Sequence, residues 1–303
     1  MKRGEFLRST FLFTGGVLVA QRSFANVLSS SKKGEKLVIL HTNDTHSNIE
    51  PFPATHNKFP NRGGVARRFQ MIQEVREQEE HVLLLDAGDI FQGTPYFNKY
   101  KGHLEMRLMS EMGYEVATLG NHDFDIGVKG FMDAHTKANF QFVNCNYDFG
   151  TTEMAKVLKP YTIIQKGKIK IGILGVGVEL EGLVPKPCFD GVTYNDPIKA
   201  ANENAKILKE KGCDLIICLS HLGYDYEDKS KVSDLNLAKA SQDIHLIIGG
   251  HTHTFLEEPT IVKNSKGEAV IVNQVGYAGL NLGRIEIQFE KGSKSAKGSA
   301  IKI

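Results

Sequence analysis

The chain of 303 residues has 41% hydrophobic and 24% charged residues, so it has enough apolar side chains to form a packed core, which excludes an intrinsically disordered protein. Its formal net charge is only +2, from 37 basic and 35 acidic residues, which argues against a nucleic-acid coat or a polybasic membrane binder. Its 4 cysteines show no paired spacing, so a disulfide-stabilised scaffold is excluded as well.

The first 25 residues have the pattern of an export signal. Basic residues at the start precede an apolar run at 11–20, and the small residues Ser23 and Ala25 stand where a signal peptidase cleaves. The apolar run is about half as long as a membrane-spanning helix. We therefore expect residues 1–25 to direct export to the periplasm or the cell exterior, or to tether the protein to the membrane if the signal is not cleaved. Residues 26–36 are expected to form a linker.

Short apolar runs alternate with amphipathic segments over residues 37–290. The runs are nearly all apolar, which is typical of central strands covered on both faces, and they lie at 37–40, 82–85, 116–119, 215–219 and 246–248. Apolar residues at helical spacing and helix-start signals predict helices at 64–78, 104–112, 197–211 and 232–240. Turn residues predict hairpins at 161–174 and 260–272, followed by a last strand at 284–289 and a mobile tail at 291–303. This pattern predicts one α/β domain with mixed sheets.

Side chains that can bind metal ions follow five of the predicted strands. In chain order these are Asp44 and His46, Asp89, Asn121, His221, and His251 with His253. Because ligands of α/β sheets bind beyond the carboxyl ends of the strands, we expect these side chains to lie in one crevice. A single residue of this kind usually forms a hydrogen bond to its own backbone in a turn. Five sets of such residues, each following a predicted strand, are not explained in that way.

The mixture of donor atoms indicates the kind of ion. Imidazole nitrogens together with carboxylate and amide oxygens suit Zn²⁺, Mn²⁺, Co²⁺ or Fe²⁺, and are too rich in nitrogen for Ca²⁺ or Mg²⁺. Seven candidate ligands exceed the three or four protein ligands of a single catalytic ion. The sequence therefore predicts two divalent ions that share a carboxylate, an arrangement typical of phosphoester hydrolysis.

The ordered motifs resemble those of a known superfamily, the calcineurin-like metallophosphoesterases. They are Asp44-x-His46, Gly88-Asp89, Gly120-Asn121-His122-Asp123, His221 and Gly250-His251-Thr252-His253. The longer segments 43–46, 63–67, 88–95 and 121–125 are similar to the bacterial 5′-nucleotidase/2′,3′-cyclic phosphodiesterase branch. The resemblance covers about residues 37–290 and implies that they form a catalytic domain with a four-layer α/β/β/α sandwich.

The resemblance also implies an assignment of the ligands. One metal would be held by Asp44, His46, Asp89 and His253. The other would be held by Asp89, Asn121, His221 and His251, with Asp89 bridging the two. The metals would lower the pKa of a bridging water, and the resulting hydroxide would attack phosphorus in line.

By the same resemblance His122 is a catalytic residue and not a ligand. It would contact the substrate phosphate together with Asn121 and assist the departing alkoxide. Asp125 stands three residues further on and can meet His122 on one face of a turn, where it would raise the basicity of the imidazole, so Asp125 is predicted to be catalytic as well. Alternatively, Asp125 caps a helix that begins near Gly127. Asp123 is the weaker candidate for the partner of His122.

The predicted function is hydrolysis of a small-molecule phosphoester, in particular a nucleotide, with nucleic acid excluded as a partner. Many members of this branch carry a second domain that binds the base, and we expect that domain to be absent because the chain ends soon after its last predicted strand. A separately encoded partner would then bind the base, or the enzyme would accept other esters such as UDP-sugars or cyclic nucleotides. An alternative of a different class is a metal-binding subunit that needs such a partner for turnover.

Some neighbouring residues are expected to have supporting roles. Asp86 and Asn43 are expected to form turns or to hydrogen-bond the ligands. Phe91 and Tyr96 either wall the site or belong to ordinary packing.

Overall fold

The computed structural model describes residues 24–28, 34–228, 230–290 and 293–303. Most of the predicted export signal, residues 1–23, lies outside the described residues. The α-helices are α1 (Val65–Gln78), α2 (Pro95–Tyr100), α3 (His103–Met112), α4 (Gly127–His135), α5 (Pro197–Glu210) and α6 (Asp234–Ala240). Short 3₁₀ helices lie at His122–Phe124, Glu153–Lys156 and Lys186–Phe189.

The strands form two large mixed sheets and one small ribbon. The first eight strands are β1 (Phe24–Leu28), β2 (Glu35–Thr42), β3 (Val82–Asp86), β4 (Val116–Ala117), β5 (Gln141–Val143), β6 (Tyr147–Asp148), β7 (Leu158–Lys159) and β8 (Tyr161–Lys166). The others are β9 (Ile169–Gly177), β10 (Thr193–Tyr194), β11 (Leu215–His221), β12 (Leu246–Gly249), β13 (Thr260–Lys263), β14 (Ala269–Asn273), β15 (Asn281–Glu290) and β16 (Ser293–Lys302). The first sheet has the order β1-β16-β15-β2-β3-β4-β5-β7, the second has the order β13-β14-β12-β11-β9-β8, and β10 pairs with β6.

The two sheets pack face to face, with helices on both outer faces. Leu37 and Ile39 of β2 belong to the apolar cluster between the sheets, which also contains Ile217 of β11. The alternate residues Val38 and Leu40 face the opposite way and pack with residues of α1, α3 and α4. On the far side, the second sheet packs against α5 and α6. These layers confirm the expected four-layer α/β/β/α sandwich, and burial on both faces explains why the strands are almost continuously apolar.

The expected tail and linker are corrected by the structure. Residues 293–302 form β16, which pairs with β15 in antiparallel register from Asn281↔Lys302 to Glu290↔Ser293. The tail was predicted to be mobile from its Lys/Ser/Gly side chains, but a strand ladder is held by backbone groups, and β15 offers a full edge for pairing. The predicted linker also contributes residues 26–28 to β1, which pairs with β16, and residues 35–36 to β2.

The central strands of both sheets run parallel and therefore end at corresponding edges. β2, β3 and β4 are parallel in the first sheet, and β9, β11, β12 and β14 are parallel in the second. The loops that follow these strands meet at one end of the sandwich, where ligands of α/β folds bind. Among the described residues, no helix is long and apolar enough to span a bilayer.

Candidate metal centre

The predicted ligands converge from both sheets. In the first sheet, Asp44 and His46 follow β2, Asp89 follows β3 and Asn121 follows β4. In the second sheet, His221 is the last residue of β11, and His251 and His253 follow β12. Residues more than 200 positions apart in the sequence meet here, since the Nε2 atoms of His46 and His253 lie 3.0 Å apart.

Three of these residues form a first cluster, in which Asp44, His46 and His253 each offer one ligand atom within 4.8 Å of the others. The Nε2 atom of His253 lies 3.3 Å from Asp44 Oδ1, and that of His46 lies 3.9 Å from the same oxygen. Such convergence of two imidazoles on a buried carboxylate has the geometry of a metal site.

Three others form a second cluster, in which Asp89, His221 and His251 likewise converge within 4.8 Å. His221 Nε2 lies 3.1 Å from Asp89 Oδ2, the oxygen that is also 3.7 Å from His46 Nε2 of the first cluster. Asp89 is therefore placed between the two clusters, as a bridging ligand would be.

An unpaired polar atom supports the fit to cations. Asn121 Oδ1 is buried and makes no hydrogen bond within the described part of the chain, whereas the buried His221 Nε2 has Asp89 as its ion-pair partner. Buried polar groups are almost always paired, so an unpaired acceptor at Asn121 is what a ligand of a cation would show. The nitrogen and oxygen donors suit borderline divalent ions.

The backbone at the ligands is unusual. Five of the predicted ligands are non-glycine residues with positive φ, namely Asp44 (50°), His46 (46°), Asp89 (56°), His251 (74°) and His253 (53°). This left-handed conformation is costly for residues with a Cβ and persists where the surrounding structure imposes it, often at functional sites. Gly120 allows the turn after β4 to approach Asp89 closely, because a Cβ at this position would lie 2.1 Å from Asp89 Oδ1.

Hydrogen bonds to the backbone orient the histidine ligands. His221 Nδ1 donates to the carbonyl oxygen of Ala87 at 2.7 Å, and His46 Nδ1 lies 3.2 Å from the carbonyl of Phe91. These bonds place the proton on Nδ1 and leave the Nε2 lone pair of each ring for an ion.

Asp123 holds the loop that carries Asp89. Its carboxylate accepts the backbone N–H groups of Asp89 and Gly120 on Oδ2, and those of Ile90 and Phe91 on Oδ1. Four such bonds fix the loop after β3 against the turn after β4. This role of Asp123 was not predicted from the sequence, since no spacing pattern distinguishes a carboxylate that holds a loop from a catalytic one.

Two of the buried groups, Asp89 and His251, have the charge that a metal ligand needs, and a third, His221, would have to lose a proton. Burial alone would raise the pKa of Asp89, but His221 and His46 beside it outweigh burial and lower it, so this residue is ionised. Burial lowers the pKa of His251 to about 4, so its imidazole is neutral. Burial also disfavours a charged His221, but Asp89 raises the pKa of that ring to about 10, so a cation must displace a proton there.

His122 and Asp125 form a separate pair at the mouth of the centre. His122 Nδ1 donates to Asp125 Oδ2 at 2.9 Å, and its ring lies 5.4 Å from the ring of His46. The hydrogen bond to Asp125 raises the pKa of His122, although partial burial opposes this. The pairing supports the predicted partner, because Asp123 is turned toward the backbone instead.

The neighbouring candidates have supporting roles. Asp86 accepts from Thr42 and from the backbone of Gly88, and Asn43 Nδ2 donates to Asp44 Oδ2 at 2.6 Å. Phe91 is fully buried beside Phe97 and Phe131, which places it in the core, and Tyr96 Oη donates to Glu50.

Gln274 was not predicted from the sequence because it belongs to no motif. Its side-chain amide donates to the carbonyl of Gly250 at 2.7 Å, next to His251.

Comparisons with known proteins show what this chain is similar to. A snake venom 5′-nucleotidase from Gloydius brevicauda is 33% identical over 306 residues, which cover 94% of this chain and 50% of that protein. The crystal structure of a 5′-nucleotidase precursor from Thermus thermophilus matches with a TM-score of 0.80 and 34% identity, over 89% of this chain and 55% of that one. The calcineurin-like phosphoesterase YfkN from Bacillus subtilis matches with a TM-score of 0.66 and 28% identity, over 89% and 91% of the two chains.

The chain spans about half the length of the first two of these relatives. The calcineurin-like phosphoesterase profile matches residues 37–255, which is well over half of the chain and includes all seven predicted ligands. The chain therefore belongs to the calcineurin-like phosphoesterase family.

Proposed function

We propose that this protein is a two-metal phosphohydrolase that cleaves the phosphoester bonds of nucleotides, as a 5′-nucleotidase does. The observation that carries this proposal is the pair of adjacent clusters with Asp89 between them and His122 at their mouth. The names of the relatives, which are 5′-nucleotidases, support a nucleotide as the substrate.

The ligands divide between the two ions as follows. Asp44, His46 and His253 would hold one ion, and Asn121, His221 and His251 the other, with Asp89 shared. Zn²⁺, Mn²⁺, Co²⁺ and Fe²⁺ all suit these donors. When bound, the ions would lower the pKa of water and neutralise charge on the phosphoryl oxygens.

His122 would donate a proton to the leaving alkoxide. Since Asp125 accepts the proton on Nδ1, the protonated ring offers Nε2–H to the substrate. The hydrogen bond to Asp125 raises the pKa of His122, which favours the protonated form that a general acid needs. Asp125 acts through His122 and is a positioning residue, whereas Asn121 and His122 would contact the phosphate directly.

We also propose that the protein works outside the cytoplasm, in the periplasm or beyond the cell, after export by residues 1–25. The charged start, apolar run and small residues before position 26 support this assignment. N-terminal sequencing of the protein recovered from a cell fraction outside the cytoplasm should begin near Asn26. Recovery of the intact N-terminus in the cytoplasm would contradict it.

A substrate panel tests the function. Metal-loaded protein should release phosphate from AMP, and chelation should abolish the release until Mn²⁺ is returned. 2′,3′-cyclic AMP, UDP-glucose and nitrophenyl phosphate should be compared as alternative esters. Tight metal binding without cleavage of any ester would instead favour a metal-binding subunit that needs a partner.

A further inference from the structure

An aromatic groove lies next to the metal centre and has no role in the chemistry described above. It has a volume of about 340 Å³ and is lined by Phe59, Arg62, Phe255, Asn281 and Lys302, among others. Volumes of this size are typical of small-molecule sites, whereas a protein partner would need a far larger surface.

The groove is connected to His253, a predicted metal ligand, through a series of aromatic rings in contact. Tyr277 stacks on His253 with 5.0 Å between ring centroids and 14° between planes. Phe59 and Phe255 lie one ring further out, 6.2 Å and 5.9 Å from Tyr277. The groove is therefore separated from the metal centre by about one side chain, comparable to the sugar that separates a base from its phosphate.

The backbone holds both phenylalanines in place before any ligand binds. Phe255 pairs with Val275 in an antiparallel bridge, and its ring covers Gly276, where a Cβ would lie 2.2 Å from the ring. The loop that carries Phe59 is closed by backbone hydrogen bonds from Phe52 to Arg62 and from Asn61 to Phe52. A preformed surface binds its ligand with less loss of conformational entropy.

The exposed ring faces and the polar walls fit a nucleobase. Phe255 is 42% exposed, so part of its ring is open to a ligand. Asn281 Oδ1 accepts from Arg62 Nη2 at 3.0 Å, which orients the amide at the groove, and the charged Lys302 stands at its rim. Aromatic faces bind every base by stacking, and polar groups can meet the base edge.

We propose that the groove formed by Phe59 and Phe255 binds the base of the nucleotide while its phosphate lies at the metal centre. This inference rests on the proposed function and adds a specificity site within the catalytic domain itself.

The test compares AMP with ribose 5-phosphate, which has the same phosphorylated sugar and no base. For Phe255→Ala we expect KM for AMP to rise roughly ten-fold, since loss of one base–aromatic stack costs about that much. kcat for AMP and kcat/KM for ribose 5-phosphate should stay within about two-fold, because the reacting atoms are untouched.

Three further variants complete the test. Phe59→Ala should also raise KM for AMP, and Phe255→Tyr should keep the wild-type KM because it keeps the ring. Phe69→Ala, at a 40% exposed phenylalanine on α1, is the matched control.

Adenosine binding tests the groove without any turnover. Calorimetric titration should show that adenosine binds the wild-type protein and binds Phe255→Ala roughly ten-fold more weakly. If wild-type protein cleaves neither ester, the proposed function fails. The adenosine titration then still tests whether the groove binds the base. Equal changes with AMP and ribose 5-phosphate, or adenosine binding unaffected by Phe255→Ala, would overturn the proposal.

Discussion

The metal centre has a buried side and an open side, which differ in what holds them. On the buried side, Asp89 and His221 are 2% and 0% exposed in their side chains and lie among backbone donors and carbonyls. On the open side, the side chains of His122 and His253 are 35% and 40% exposed. The difference fits the proposed function, in which the buried side would hold charge in a fixed place and the open side would contact the substrate.

Replacing Asp89 should produce the largest effect, because its carboxylate lies between both clusters. Asp89→Ala should lose at least one bound ion, and AMP hydrolysis should fall by more than about 100-fold, since disturbing even the partners of metal ligands costs 10- to 100-fold. Phosphate release and elemental analysis measure the two losses. Asp133→Ala, at an exposed residue of α4, is the control. Full metal content together with full activity in Asp89→Ala would contradict the bridging position.

Replacing His122 should reduce catalysis and leave metal binding intact. Loss of activity alone at the open side would contrast with loss of bound metal at the buried side. His122→Ala should lower kcat for AMP by about 10²- to 10⁴-fold, the usual contribution of a general acid. The loss should be much smaller with nitrophenyl phosphate, whose leaving group hardly needs a proton. Equal losses on both esters would show that His122 does not protonate the leaving group. His103→Ala is a suitable control.

Replacing Asp125 should shift the pH profile. The hydrogen bond from His122 to Asp125 raises the pKa of His122, so the protonated acid persists to higher pH and activity declines only as pH rises through that raised value. Asp125→Asn removes the charge and lowers the pKa, so the alkaline decline of kcat should begin at lower pH. The loss of activity in Asp125→Asn should therefore be larger at alkaline pH than at acidic pH. A profile that only scales down, with no shift, would assign Asp125 to helix capping.

Replacing Asp123 should mainly affect stability. In Asp123→Asn one oxygen becomes an amide nitrogen, so two backbone N–H groups lose their acceptor, at a cost of about 1–3 kcal/mol in the free energy of unfolding. Thermal unfolding of the metal-free protein measures this cost. Asp133→Asn, which disturbs only the exposed pair with Lys129, should have little effect on stability because solvent screens this pair. Comparable losses in both variants would show that Asp123 does not hold the loop.

Much of the fold and the centre could be predicted because both depend on local patterns. Apolar runs such as 215–219 identify strands buried on both faces, and the ends of these strands point to one edge of each sheet. The structure brings six of the seven predicted ligands into the two clusters. The seventh predicted ligand, Asn121, has a buried Oδ1 atom that makes no hydrogen bond among the described residues. His122 and Asp125 form a hydrogen bond with each other, as their spacing of three residues predicted.

The remaining features depend on contacts that no local pattern encodes. β16 was predicted as a mobile tail because its side chains are small and polar, whereas its pairing depends on the free edge of β15. Asp123 and Gln274 bond to backbone groups brought near by the fold. The aromatic groove joins Phe59 to Phe255 across nearly 200 residues, with 6.1 Å between their ring centroids. Such pairs become visible only when the chain is folded.

The most direct test is the metal content of the reconstituted protein, measured by elemental analysis after removal of loosely bound ions. Two equivalents of divalent transition ion per chain are predicted for the wild type, and about one for His253→Ala, because the buried cluster of Asp89, His221 and His251 remains. Less than one equivalent in the wild type, after reconstitution with Mn²⁺ or Zn²⁺, would contradict a two-metal centre.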